Sequence, residues 1–208
     1  MEILPLLLAS LVGFTHAFEA DHLVAVSSIV TRRNNTYLAV KDGIFWGLGH
    51  TSTILLVGCI FILGTYSLNL ASFVYLEGSV GIMLIFLGLK RLSGIYKTDL
   101  PHTDAHDKGT PHEHKLAYGV GLVHGLAGSG TLILSVLTTI KSSLDGMAYL
   151  LIFGIGSIAG MMVAAGIFSA PFSEKLVKNK TLKTALTLVS SFLCIILGGK
   201  VVYENFIV

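Results

Sequence analysis

Residues 13–31 read GFTHAFEADHLVAVSSIVT, and His16, Glu19, Asp21 and His22 stand inside an apolar run that extends from Ile3 to Val30. A run of that length crosses a bilayer as a helix. A charged side chain at membrane depth costs at least about 2.5–3.5 kcal/mol, so two carboxylates flanked by two imidazoles are not idle there. Internally paired helix glue is the plainer use of such residues. Imidazole and carboxylate together also make a cage for a borderline divalent metal, and that is the reading pursued.

Apolar residues make up 53% of the 208-residue chain and charged residues only 12%, with a mean hydropathy of +0.78. Such a composition excludes an ordinary soluble domain and places the chain among all-α integral membrane proteins, with the lipid bilayer as its first partner. The net charge of +2 makes no case for a nucleic-acid partner. Cys59 and Cys194 lie alone in separate apolar segments without CxxC spacing, as packing residues do. Glu2 stands where a secretory signal carries positive charge, and no small-residue cleavage site closes the run, so the first segment is expected in the mature protein.

Six apolar stretches of roughly 20 residues, the length of a membrane helix, occur at 3–30, 42–64, 73–92, 116–140, 146–170 and 184–206. All 7 tyrosines fall near their ends, at the depth of the headgroups. Basic residues alternate between the connections. Arg32, Arg33 and Lys41, then Lys90, Arg91, Lys97, Lys108 and Lys115, then Lys175, Lys178, Lys180 and Lys183 share one face, leaving only Lys141 and Lys200 of the 14 basic residues for the other. The positive-inside rule makes the richer face cytoplasmic, which predicts a multi-pass protein of the cell membrane with both termini extracytoplasmic.

Sliding the chain so that residue 13 falls on residue 121, an offset of 108, aligns GFTHAFEADHLVAVSSIVT with GLVHGLAGSGTLILSVLTT and His16 with His124. WGLGHTST from Trp46 also corresponds to FGIGSIAG from Phe153, at an offset of 107, and LIFLGLK from Leu84 to CIILGGK from Cys194, at 110. A unit of three crossings must re-enter the membrane the other way round. The organisation expected is two inverted three-helix repeats, 1–92 with the metal motif and 116–208, joined by a cytoplasmic loop at 93–115. The second copy replaces Glu19, Asp21 and His22 by Ala127, Ser129 and Gly130. Glycines spaced by four, at Gly43 and Gly47, Gly121 and Gly125, and Gly156 and Gly160, are expected to bring helix backbones close. Gly128 and Gly130 would also permit an unwound turn.

On a regular helix His16, Glu19 and His22 share one broad stripe, while Asp21 points nearly opposite to Glu19. Either the helix breaks between His16 and Asp21, or Asp21 acts from behind by orienting an imidazole. His50, in GLGHTST, is a further candidate ligand from the second segment. His124 is another, by its repeat relation to His16. The loop holds His102, His106, His112 and His114 among Asp104, Asp107 and Glu113, a tract of the kind that binds metal labilely or simply stays solvated.

HAFEADH followed by LVAV and TRR resembles the His, four residues, Asp-His signature of the nickel/cobalt transporter (NiCoT) family, and LGHTS around His50 is similar to that family's next helix signature. LVHGLAGSG looks like the matching segment of its short, six-helix urease-accessory (UreH-like) type. The resemblance spans both halves and implies transport of Ni²⁺ or Co²⁺, with His16, Asp21, His22 and His50 as the matching positions. Glu19 stands where the family more usually has Asp, and Ser27-Ser28 stand near its Asp-Asn pair.

Chemistry narrows the metal without naming it: imidazole and carboxylate suit Ni, Co and Zn, whereas Ca²⁺ and Mg²⁺ prefer all-oxygen cages. No GxxxxGK[ST] phosphate loop is present, so the chain has no visible ATP site of its own; the expected protein is a secondary transporter of Ni²⁺ or Co²⁺, not an enzyme, with no prosthetic group. Uptake is the favoured direction, since a divalent cation moving inward gains about 4.6 kcal/mol per 100 mV. A cytoplasmic metal-accepting protein is a further partner that the loop suggests. An exporter, an intramembrane metalloenzyme and a metal-delivery partner of a soluble enzyme are the alternatives the residues leave open. Because ligating imidazoles must be neutral, protons compete with the ion. Metal uptake is expected to fall as pH drops through the imidazole range near about 6.5; uptake that stays flat from mildly acidic to neutral pH would count against histidine ligation.

Overall fold

The first apolar run folds as two helices instead of one. In the computed structural model, which describes residues 3–30, 33, 35–63, 70–96, 114–126, 140, 142–172 and 180–207, α1 (Ile3–His16) and α2 (Ala20–Val30) meet at a bend of 57°. The chain continues as α3 (Thr36–Leu63), α4 (Leu70–Tyr96), α5 (114–126), α6 (Ser143–Ser169) with a 3-10 turn at Ala170–Phe172, and α7 (Lys180–Phe206). Every regular element among the described residues is helical. Thr36–Ile62, Ser143–Phe172 and Thr181–Phe206 are each long and apolar enough to cross a membrane, and α1 with α2 qualifies as one broken span. The later part of the expected segment 116–140 lies outside the described residues, with Gly128 and Gly130 in it.

Helices begin earlier than hydropathy suggests, because polar caps, rather than apolar content, set their starts. α3 starts at Thr36 instead of 42, where Asn35 Oδ1 accepts a hydrogen bond from Tyr37 N at 2.9 Å. α6 starts at Ser143 behind Ser142, whose hydroxyl accepts from Asp145 N at 3.5 Å. Hydropathy marks where a helix is greasy, and capping marks where its free N–H groups find partners.

Packing is by pairs: α1 and α3 both lie along α6, α4 lies along α7, and α2 touches α3, α4, α6 and α7. The glycines spaced by four sit at these crossings, as expected. A Cβ on Gly13 would meet Phe153 O, and one on Gly156 or Gly160 would meet Ser10 O or Phe14 O, so α1 and α6 touch backbone to backbone. Gly121 and Gly125 meet Trp46 O and His50 O in the same way, which presses α5 onto α3. Hydroxyls fasten the crossings: Ser157 Oγ donates to Gly13 O at 3.1 Å, Thr51 Oγ1 to Gly154 O at 3.1 Å and Thr53 Oγ1 to Leu122 O at 3.0 Å. Cys194 is buried, its thiol donating to Val24 O at 3.4 Å, a packing role that fits its lack of a partner thiol among the described residues. Around α2 the core is apolar, with Val26, Trp46, Leu84 and Met161 fully enclosed. Gly13→Val is expected to destabilise the protein by about 1–3 kcal/mol through overpacking, whereas Gly199→Ala, where nothing lies within 4 Å of the added carbon, should not. Thermal unfolding in detergent reads both.

Candidate metal centre

No glycine or proline stands in Ala17, Phe18 and Glu19, so the break between α1 and α2 is made by contacts, not by weak helix propensity. Phe18 N donates to Thr15 O at 2.9 Å and Glu19 N to His16 O at 3.1 Å, a tightened final turn of the i to i+3 kind. α2 then restarts with Leu23 N on Glu19 O at 2.9 Å. His16 stands in the last turn of α1, where a positive partner is favoured, while Asp21 sits in the first turn of α2, where an anion is favoured.

Four imidazoles converge at this break. The His16 ring lies 4.6 Å from that of His22 and 5.3 Å from that of His50, and His22 and His50 are also 5.3 Å apart. His124, from α5, stacks on His22 at 4.4 Å. Asp21 bridges the second pair, its carboxylate 3.1 Å from His22 Nδ1 and 3.3 Å from His124 Nε2. Two three-residue groups result, His16/His22/His50 and Asp21/His22/His124, each with ligand atoms within 4.8 Å of one another. Ligand atoms about 2.1 Å from a tetrahedral ion stand about 3.4 Å from one another, so either group would close on a metal by drawing its three atoms together.

His22, His50 and His124 are at most 1% exposed. Both nitrogens of His50, and Nε2 of His16 and of His22, are buried without a hydrogen-bond partner among the described residues. Buried polar atoms are nearly always satisfied, and an ion is one way of satisfying these. Trp46 and Phe153 wall the group, their rings 5.6 Å from His22 and from His16. Glu19 takes a different place from the one its helical stripe suggested. Its Oε1 accepts from His16 Nδ1 at 2.8 Å and its side chain is 58% exposed, so it orients an imidazole from outside both groups. Asp21, which a regular helix would have turned away, is carried inward by the bend.

Urease accessory protein UreH of Bacillus sp. (strain TB-90) is 31% identical to this chain over 212 residues, covering 96% of this chain and 90% of that protein. The chain belongs to the UreH family. Two Arabidopsis thaliana chloroplast proteins, FOR GROWTH AND FERTILITY 1 and 2, are 27% and 25% identical over 94% and 89% of this UreH-family chain. The chain spans only 58% and 52% of their lengths. No protein-family profile matches the chain, and no solved structure matches it.

His114 lies apart from the convergent imidazoles. Its Nδ1 is 2.6 Å from Asp42 Oδ1, and its ring stacks on Phe45 at 5.0 Å. Arg33 grips the same carboxylate with two hydrogen bonds, Nε to Oδ2 at 2.6 Å and Nη2 to Oδ1 at 2.9 Å. This triad ties the exit of α2 to the starts of α3 and α5. Sequence reasoning counted Arg33 among loop charges and passed over Asp42; the signal available was an acid at the head of an apolar segment, nine residues after an arginine pair. His102, His106 and His112 lie outside the described residues. The Arg33 and Asp42 side chains are 1% and 2% exposed, so removing one charge strands the other. Arg33→Met is expected to cost the UreH-family protein about 3–5 kcal/mol, and Arg33→Met with Asp42→Leu considerably less. A loss in the double variant equal to the sum of those of Arg33→Met and Asp42→Leu alone, read by thermal unfolding, would show that the pair is not coupled.

Proposed function

We infer that this UreH-family protein is a secondary transporter that carries Ni²⁺ or Co²⁺ across the cell membrane in the uptake direction, binding the ion at the break between α1 and α2. The observation that carries this reading is the convergence of His16, Asp21, His22, His50 and His124 inside an apolar bundle, with imidazole nitrogens buried and unpartnered. A broken helix lining an ion site is how transporters put backbone dipoles and side chains at membrane depth, and carbonyl-bearing helix ends favour cations. The donor set suits Ni²⁺ and Co²⁺ better than hard ions. Kinship with a urease accessory protein adds nickel as the ion of choice if this chain likewise serves a urease. An accessory role is also the opposite of a catalytic one.

The architecture proposed is six spans in two inverted three-helix repeats. Reciprocal contacts support it. Gly13 against Phe153 O is answered by Gly121 against Trp46 O, and the repeat alignment pairs 13 with 121 and 46 with 153. Likewise Gly156 against Ser10 O is answered by Gly49 against Tyr118 O, and Gly198 against Gly81 O by Gly88 against Ser191 O. Each pair exchanges its members when the two halves are swapped, as a two-fold relation requires. On this reading both termini are extracytoplasmic, and the loop at 93–115 is cytoplasmic, placed to pass the ion to a metal-accepting protein.

The deciding experiment compares Ni²⁺ and Co²⁺ content of cells expressing the wild-type chain, the His22→Ala variant or neither. Wild type should raise cell metal and His22→Ala should not. Lower metal in wild-type cells would reject uptake in favour of export, and equal content in all three would reject transport of these ions.

A further inference from the structure

The geometry points to two successive metal stations, not one site: His16/His22/His50 and Asp21/His22/His124, with the transported ion passing from one to the other through His22. This rests on the transport reading above and deepens it. His22 is the one residue common to both groups, and its ring lies between the two sets, 4.6 Å from His16 on one hand and 4.4 Å from His124 on the other. A bare divalent ion in an apolar bundle faces a prohibitive desolvation cost. An imidazole common to both groups shortens the passage through that state.

The stations differ in chemistry and in origin. The first offers three nitrogens, all from α1, α2 and α3. The second offers two nitrogens and a carboxylate oxygen, and takes one ligand, His124, from α5 in the other half of the chain. The Asp21–His124 contact at 3.3 Å therefore spans the two halves. Displacing α5, which carries His124, breaks the second station and leaves the three ligands of the first in place. The second station has a carboxylate among its three ligands, whereas the first has one only behind His16, at Glu19, so the ion is drawn onward to the directly bound charge. Glu19, held by His16 and exposed, lies at the rim of the first station and marks its side of entry or exit.

Purified full-length protein in detergent, titrated with Co²⁺ and followed by visible absorption, tests this, because Co²⁺ spectra report the nitrogen and oxygen count. His50→Ala and His124→Ala should each retain one Co²⁺ with different spectra, the first shifted toward mixed nitrogen and oxygen ligation and the second toward all-nitrogen. His22→Ala should lose both forms. In proteoliposomes His124→Ala should still bind the ion but carry it at least about tenfold more slowly, the scale of loss when a metal site loses a supporting group. If His50→Ala elutes as aggregate, His16→Ala serves as the first-station variant. Superimposable spectra with equal weakening in His50→Ala and His124→Ala would mean one composite site and overturn the relay while leaving the transport reading intact. Unchanged binding and uptake in His124→Ala would overturn it too. Wild-type Co²⁺ affinity in His22→Ala would sink the site itself along with the relay.

Discussion

Backbone contact between helices is the constraint from which the convergence of the imidazoles follows. α1 rides on α6 through Gly13, Gly156 and Gly160, and α5 rides on α3 through Gly49, Gly121 and Gly125. Only helices without intervening side chains come this close, and without such closeness imidazoles from α1, α3 and α5 would not meet. His50 illustrates the coupling: its carbonyl oxygen is the surface that Gly125 presses against, and its ring faces His16 and His22. One backbone contact and one imidazole of the cluster belong to the same residue. A larger residue at Gly125 would therefore act on the site through α5 without touching an imidazole.

The break after His16 depends on that packing. Helix continuation through Ala17–Glu19 would satisfy the local backbone just as well, and no residue there forbids it. What the bend gains is a lateral grip: Ser157 Oγ supplies a donor to Gly13 O in the last turns of α1, and His16 with Glu19 closes the turn from the other side. A regular helix would keep His16, Glu19 and His22 on one stripe and lose Asp21 to the far side. The bent one exchanges Glu19 for Asp21. It thereby turns a row of residues on one helix into a cluster shared by four.

Away from the cluster, the Arg33–Asp42–His114 triad holds α2, α3 and α5 together at their ends. Its charges are enclosed, so it serves orientation more than net stability. The His-rich tract leads into α5 at His114, and this residue is committed to Asp42. α5, which brings His124, is thereby anchored to the same helix that brings His50.

Composition and hydropathy determined by themselves that the chain is a helical membrane protein, because the cost of an exposed backbone in lipid leaves helices as the answer for long apolar runs. Spacing within HAFEADH and the offset repeat determined which imidazoles and carboxylates to watch, since ligand chemistry is a property of residue type. Family membership followed from the same information. Which of those residues meet was decided only in three dimensions. Helix periodicity predicted Glu19 with His16 and His22, and the bend brought Asp21 in its place. His124 had only its repeat relation to recommend it, yet α5 stacks it on His22. Asp42 carried almost no local signal, and its partners stand nine residues before it and 72 residues after it. Contacts of that kind depend on how closely two backbones approach and on where a helix gives way, and neither is encoded in the spacing of residues along one segment.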